Sequence, residues 1–154
     1  MSAEKRQPLD LLDKIYSLGY WMTGSLKRTN ELVFRTYQNI TSNASEIEVF
    51  KTFRDVYFDY ASLNEAPPEP SAAGYTDKNL QVIIHQQEAD RKLSVLFSEI
   101  CGLQHRKISI IIDKPLGIVL MWLSSGRKAM IEGLLGILAC FDPRLEILKN
   151  ILCL

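Results

Sequence analysis

The sequence predicts an all-α protein made of two small helical lobes joined by a proline-rich linker. Three observations predict it. Apolar residues recur three and four apart through most of the chain. Three of the six prolines fall between residues 64 and 75. Apolar–polar alternation of the strand type competes nowhere with the helical spacing.

The elements follow in order. "LDLLDKIYSLGYWM" places Leu9, Leu12, Ile15, Tyr16 and Gly19 near one helical face. "TGS" at 23–25 is a break with capping residues. "LKRTNELVFRTYQNI" repeats the pattern through Leu26, Leu32, Val33, Thr36 and Ile40. "TSNASE" is a loop in which Ser45 and Glu48 stand at capping-box spacing. "IEVFKTFRDVYFDYASL" is an aromatic-rich third helix, with Phe50, Phe53 and Tyr57 spaced for a core. "NEAPPEPSAAGY" is a linker by its prolines.

A short helical lead-in is expected over 77–85, and then a helix, "QQEADRKLSVLFSEI", with Leu93, Leu96, Phe97 and Ile100 on one face. "CGLQ" is a turn around Gly102. "HRKISIIID" is a short helix, although its β-branched run also suits a strand. Lys114–Gly117 is the next turn, a longer helix runs from Ile118 to about Leu138, and "DPRLEILKNILCL" is a last short helix. This gives lobes at 1–63 and 80–154 and a linker at 64–79. The final apolar segment leaves two uses open, docking within the chain or a dimer seam.

The chain has 154 residues, 47% of them apolar, and no formal net charge. A buried core is feasible, and any nucleic-acid contact has to come from a local patch. Three widely spaced cysteines without a CxxC fit free thiols and a cytoplasmic location. No secretory signal and no membrane span are expected, so the sequons at Asn39 and Asn43 read as chance. Cys101 and His105 stand four apart, but no second pair lies at useful spacing. No metal site and no cofactor are expected. The chain has no glycine-rich phosphate loop, nucleophile elbow or His–carboxylate pair, so it reads as a non-enzyme with no catalytic residues.

Residues 99–130, "EICGLQHRKISIIIDKPLGIVLMWLSSGRKAM", supply Gly102, Leu103, Ile108, Ile111, Pro115, Gly117, Val119, Leu123, Gly126 and Arg127 in ungapped register. This pattern resembles the C-terminal helix-turn-helix of the extracytoplasmic-function sigma factors of bacterial RNA polymerase. The first lobe is similar to that family's polymerase-binding segment through Thr23, Gly24, Glu31, Leu32, Val33, Thr36 and Tyr37. It is similar to the promoter-melting segment through Arg54 and Asp59.

The resemblance implies a first lobe of the sigma region-2 type and a second of the region-4 type. It implies core RNA polymerase as a partner of Glu31, Leu32, Val33, Phe34, Arg35 and Tyr37, with Arg54, Tyr57, Phe58 and Tyr60 at the promoter-melting surface. It places promoter DNA against Arg106, Lys107, Gly117, Ile118, Leu120, Met121, Trp122, Ser125, Arg127 and Lys128. An anti-sigma factor is a further implied partner.

The departures from the family fall at contact positions. Ile118, Met121, Trp122 and Ser125 stand where the family carries threonine and arginine. Arg106 and Lys107 replace an acidic pair, and Phe34-Arg35 replaces Gln-Glu. Each lost bidentate base contact removes ~1–3 kcal/mol of discrimination. Residues 88–132 hold seven basic and five acidic side chains, a net charge of about +2, which is slight for phosphate binding. The aromatic third helix is followed by "SLNEAPPEP", without arginines, so only the stacking half of a single-strand surface is present.

Two functions therefore stand side by side. One is a sigma-factor-like initiation protein that reads promoter DNA. The other is a sigma mimic that binds polymerase or an anti-sigma factor with little specific DNA binding. Met121 and Trp122 fit either a protein hot spot or internal packing. Arg127 and Lys128 fit either phosphate contact or a solvated face.

Overall fold

The computed structural model describes residues 6–64 and 76–139, and every element among them is helical. A 3-10 turn, Pro8–Leu11, leads into α1 (Leu12–Thr23). There follow α2 (Leu26–Gln38), α3 (Glu46–Asn64), α4 (Thr76–Glu99), α5 (His105–Ile112) and α6 (Leu116–Ala139). Most of the expected linker and the expected last helix over 142–154 lie outside the described residues. The lead-in and the helix after it are one continuous helix, α4, which begins at Thr76.

Local chemistry sets the ends of these helices. Gly24 adopts φ 64° after α1, and its N–H donates to the Tyr20 carbonyl at 2.8 Å. Ser25 caps α2 through the Arg28 N–H at 3.4 Å. The Ser45–Glu48 capping box forms in both directions, with the Ser45 N–H donating to Glu48 Oε2 at 2.6 Å and the Glu48 N–H donating to Ser45 Oγ at 3.3 Å. The turn after α4 uses Gly102 at φ 65°, and the Leu103 N–H reaches back to the Phe97 carbonyl at 3.0 Å. Asp113 closes α5 at φ 56°. There the Ser109 hydroxyl donates to the Lys114 carbonyl and locks the turn into α6. The chain bends by 106° between α5 and α6, within the range of helix-turn-helix units.

The first helix is rotated from its expected face. Leu11, Ile15, Leu18 and Gly19 are buried, whereas Leu9, Leu12 and Tyr16 are exposed. Two close approaches fix neighbouring helices. A Cβ on Gly19 would lie 3.0 Å from Thr29 Cγ2, and one on Gly126 would collide with Val95 Cγ2. Gly19 thus lets α2 press against α1, and Gly126 lets α6 press against α4. The buried Thr29 and Thr36 hydroxyls donate to the carbonyls of Ser25 and Leu32, each at 2.7 Å, so neither is left unsatisfied.

The two halves share one apolar core, in which Phe50 of α3 meets Phe97 of α4 edge-on at 5.4 Å. Arg54 of α3 forks onto Asp90 of α4, with Nε to Oδ1 at 2.7 Å and a terminal nitrogen to Oδ2 at 2.8 Å. Lys107 of α5 pairs with Glu46 of α3 at 2.7 Å. The Lys14 ammonium on α1 donates to the Cys101 carbonyl, just past the C-terminal end of α4, at 2.9 Å. Two ion pairs, a ring pair and an ammonium–carbonyl hydrogen bond therefore cross between the halves.

Replacing Arg54 by alanine should test this joint. The Asp90 side chain is only 5% exposed, so the substitution strands a buried carboxylate and should cost roughly 3–5 kcal/mol. Lys107→Ala, at a more exposed pair, should cost under about 1 kcal/mol. Urea unfolding followed at both halves should show one cooperative transition that moves as a unit in Arg54→Ala. A shift confined to one half would contradict a shared core.

Candidate functional site

The residues expected at DNA lie on α5 and α6, and packing divides α6 lengthwise. Val119, Trp122 and Leu123 are buried, with Trp122 only 2% exposed. Trp122 is therefore a core side chain and not part of a DNA-facing surface. Its size and helical register draw it inward, into the same apolar cluster that holds Ile108, Ile111 and Phe97. Ile118 is half-buried. Leu116, Leu120 and Met121 are exposed, Met121 at 57%. The solvent face of the helix is thus apolar where base reading needs hydrogen-bond donors and acceptors. Gly117 is exposed and sits in the first turn of α6, and the Ser125 hydroxyl turns back to the Trp122 carbonyl at 3.2 Å.

The cations of this region split into two groups. Arg127 bonds to Glu99 through Nε and to Ser98 Oγ at 3.0 Å, and Lys107 is held by Glu46. Those two are committed to their own protein. Arg106, Lys114 and Lys128 are exposed and join no ion pair found among the described residues. An open groove runs beside Arg106 and Lys128. One part is lined by Gly102, Leu103, Gln104, His105, Leu116 and Leu120, and it continues along Leu123, Ser124 and Lys128. Its lining combines aliphatic side chains (Leu103, Leu116, Leu120 and Leu123) with the basic Arg106 and Lys128 and the acidic Glu132.

The surface expected for promoter melting is largely built into the core. Arg54 belongs to the Asp90 pair, whose hydrogen bond raises the guanidinium pKa against the opposing effect of burial. It also lies 5.0 Å over the Phe58 ring, which meets Tyr57 edge-on. Tyr60 is buried and lies under the Arg35 guanidinium at 5.6 Å. Arg54 and Tyr60 thus hold the fold together and are not free to grip a strand, while Tyr57 and Phe58 are partly exposed.

The expected polymerase-binding segment on α2 is divided in the same way. Leu32 is fully buried and Val33 packs against the core. The Tyr37 hydroxyl donates to the Pro8 carbonyl at 2.7 Å, and burial raises its pKa. Glu31 and Arg35 pair with each other at 2.6 Å. Of the six residues, only Phe34 is freely presented to solvent.

One surface escaped the sequence reading. Leu9, Leu12, Tyr16 and Tyr20 form an exposed stripe along the 3-10 turn and α1, with Trp21 beside it. Both faces of this helix carry apolar residues, so spacing alone could not say which one turns inward. Cys101 is buried, and burial pushes its thiol up to about 12. Among the described residues, no group of three His, Cys, Asp or Glu side chains is placed to hold a metal ion. No single described helix is long and apolar enough to cross a membrane. No known protein family, curated protein or solved structure matches this chain.

The Cys101 environment gives a measurable consequence. Its thiol stays protonated in the folded protein up to about 12, whereas an ordinary thiol ionises near 9.0. Between those values the unfolded chain binds fewer protons, so this residue's contribution to stability falls as pH rises from about 9 to about 12. Labelling with a thiol reagent at pH 8 should leave Cys101 unmodified until denaturant is added. Labelling at the rate of a free thiol in the folded protein would contradict this placement.

Proposed function

We propose that this chain is a sigma-like regulatory protein that works by binding protein, with core RNA polymerase or an anti-sigma factor as its partner, and does not read promoter sequence closely. The observation that carries the proposal is the solvent face of α6. It exposes Leu116, Leu120 and Met121, while Arg127 is tied to Glu99 and Ser98. Side chains without polar atoms give no base-edge readout, but aliphatic side chains beside basic ones are a usual composition for a protein interface. The aromatic stripe on α1 adds a second exposed apolar surface of the same character.

The sharing of one core by the two halves supports the same reading. Arg54–Asp90 and Phe50–Phe97 hold the halves together, which fixes the spacing between the surfaces they present. The promoter-reading alternative keeps one point in its favour, the exposed cations Arg106, Lys114 and Lys128. Three phosphate contacts support only weak binding, with a slope of log K against log salt of about −3.

The test pairs two assays. Fluorescence anisotropy on promoter and scrambled duplexes should show weak binding, a preference under about tenfold and the shallow salt slope. Co-elution with core polymerase or with an anti-sigma factor should be strong and should be lost in Leu120→Glu. Met121→Arg, at an exposed position, should raise DNA affinity severalfold without unfolding the protein. Wild-type discrimination of the promoter by about a hundredfold, or co-elution indifferent to Leu120→Glu, would overturn the proposal.

A further inference from the structure

The groove beside α6 is long enough for more than a single anchor. It passes Gly102, Leu103 and Leu116, and continues past Leu120 to Ile131. Its wall on α6 is a row of residues four apart, Leu116, Leu120, Ser124 and Lys128. Rows of this spacing are the ridges against which a second helix packs. From Leu116 to Ile131 is roughly 22 Å of helix, the length of about four turns of a partner. Leu116, Leu120 and Ile131 stay exposed, so no described part of the chain fills the groove.

Three observations give the groove a sign. With its continuation past Gly102 and Gln104 toward Arg6 and Lys107, it is lined by five basic side chains and two acidic ones. Of the basic ones, Arg6 and Lys107 share Glu46, and Arg127 goes to Glu99. Arg106 and Lys128 are left without an ion pair found among the described residues.

The third observation is at the start of α5, which the groove passes. Gln104 stands at the N-cap and makes no side-chain cap bond, and the first turn holds no acidic residue. The N–H groups of an uncapped first turn carry positive partial charge. A carboxylate brought in by a partner would meet those groups and Arg106 together. No Phe, Tyr or Trp stands among the described lining residues, so the stacking that holds a nucleic-acid strand is absent.

We infer that the groove takes an acidic amphipathic helix of a partner protein, about four turns long. Its apolar face lies on Leu116, Leu120 and Ile131, and its carboxylates meet Arg106, Lys128 and the start of α5. This assignment rests on the protein-binding reading of α6 and gives the partner segment its chemistry.

Two synthetic helical peptides of about 16 residues test it. Both carry leucines three and four apart. One has glutamate at the flanking positions and the other lysine. Fluorescence anisotropy with the full chain should show micromolar binding of the acidic peptide and binding of its lysine twin at least about tenfold weaker. Arg106→Glu with Lys128→Glu should reverse that preference. Both positions are exposed, so circular dichroism and urea unfolding should match the wild type. Equal affinity for the two peptides, no binding of the acidic one, or a preference unchanged in the double variant would each overturn the inference. So would displacement of the acidic peptide by an equal concentration of duplex DNA. Co-elution with core polymerase or an anti-sigma factor reads the protein-binding role independently, so that role can survive the loss of the acidic occupant.

Discussion

The fork of Arg54 onto Asp90 is the contact on which the arrangement of the molecule depends. A guanidinium and a carboxylate brought together this far from solvent are each costly to desolvate alone, so the pair tolerates little misalignment. It fixes α3 against α4 at one register. The other cross-contacts follow from that register. Phe50 meets Phe97, Lys107 meets Glu46, and the Lys14 ammonium reaches the end of α4. Apolar burial supplies most of the driving force for such a core, but apolar contact is not directional. The ion pair selects one packing of the two halves over its neighbours.

This register also governs what α6 presents. With α4 held against the first three helices, Gly126 meets Val95 and turns Trp122 into the core. The face left outside carries Leu116, Leu120 and Met121. An indole of the kind that anchors interfaces is consumed in packing, and unbranched or γ-branched aliphatic side chains take its place at the surface. Met and Leu adapt to the shape of a protein partner but give no hydrogen bonds to base edges. The proposed protein-binding role thus traces to the same joint that holds the halves together.

Much of the architecture was legible in the sequence because its signals are local. The Gly24 and Gly102 turns, the Ser45–Glu48 box and the stop at Asp113 are written in a few residues each, and all appear where expected. Leu103, Ile108, Ile111, Val119 and Leu123, the apolar positions of the pattern over 99–130, are all five buried. What could not be read is long-range. Arg54 and Asp90 lie 36 residues apart, and no local pattern links an arginine in an aromatic helix to an aspartate beyond a proline-rich stretch. The same limit hid the burial of Tyr60 under Arg35 and left internal packing of Trp122 as one of two open readings. On α1, two apolar faces competed, and only the position of α2 against Gly19 decides between them.

A core shared by the two helical halves implies one compact body in solution. Small-angle X-ray scattering of the full chain in dilute solution measures this most directly. The radius of gyration should lie near the ~15 Å of a compact globule of this length, with a single-peaked distance distribution that does not change with salt. A clearly larger radius with a second maximum or an extended shoulder, the profile of two lobes on a flexible tether, would contradict it.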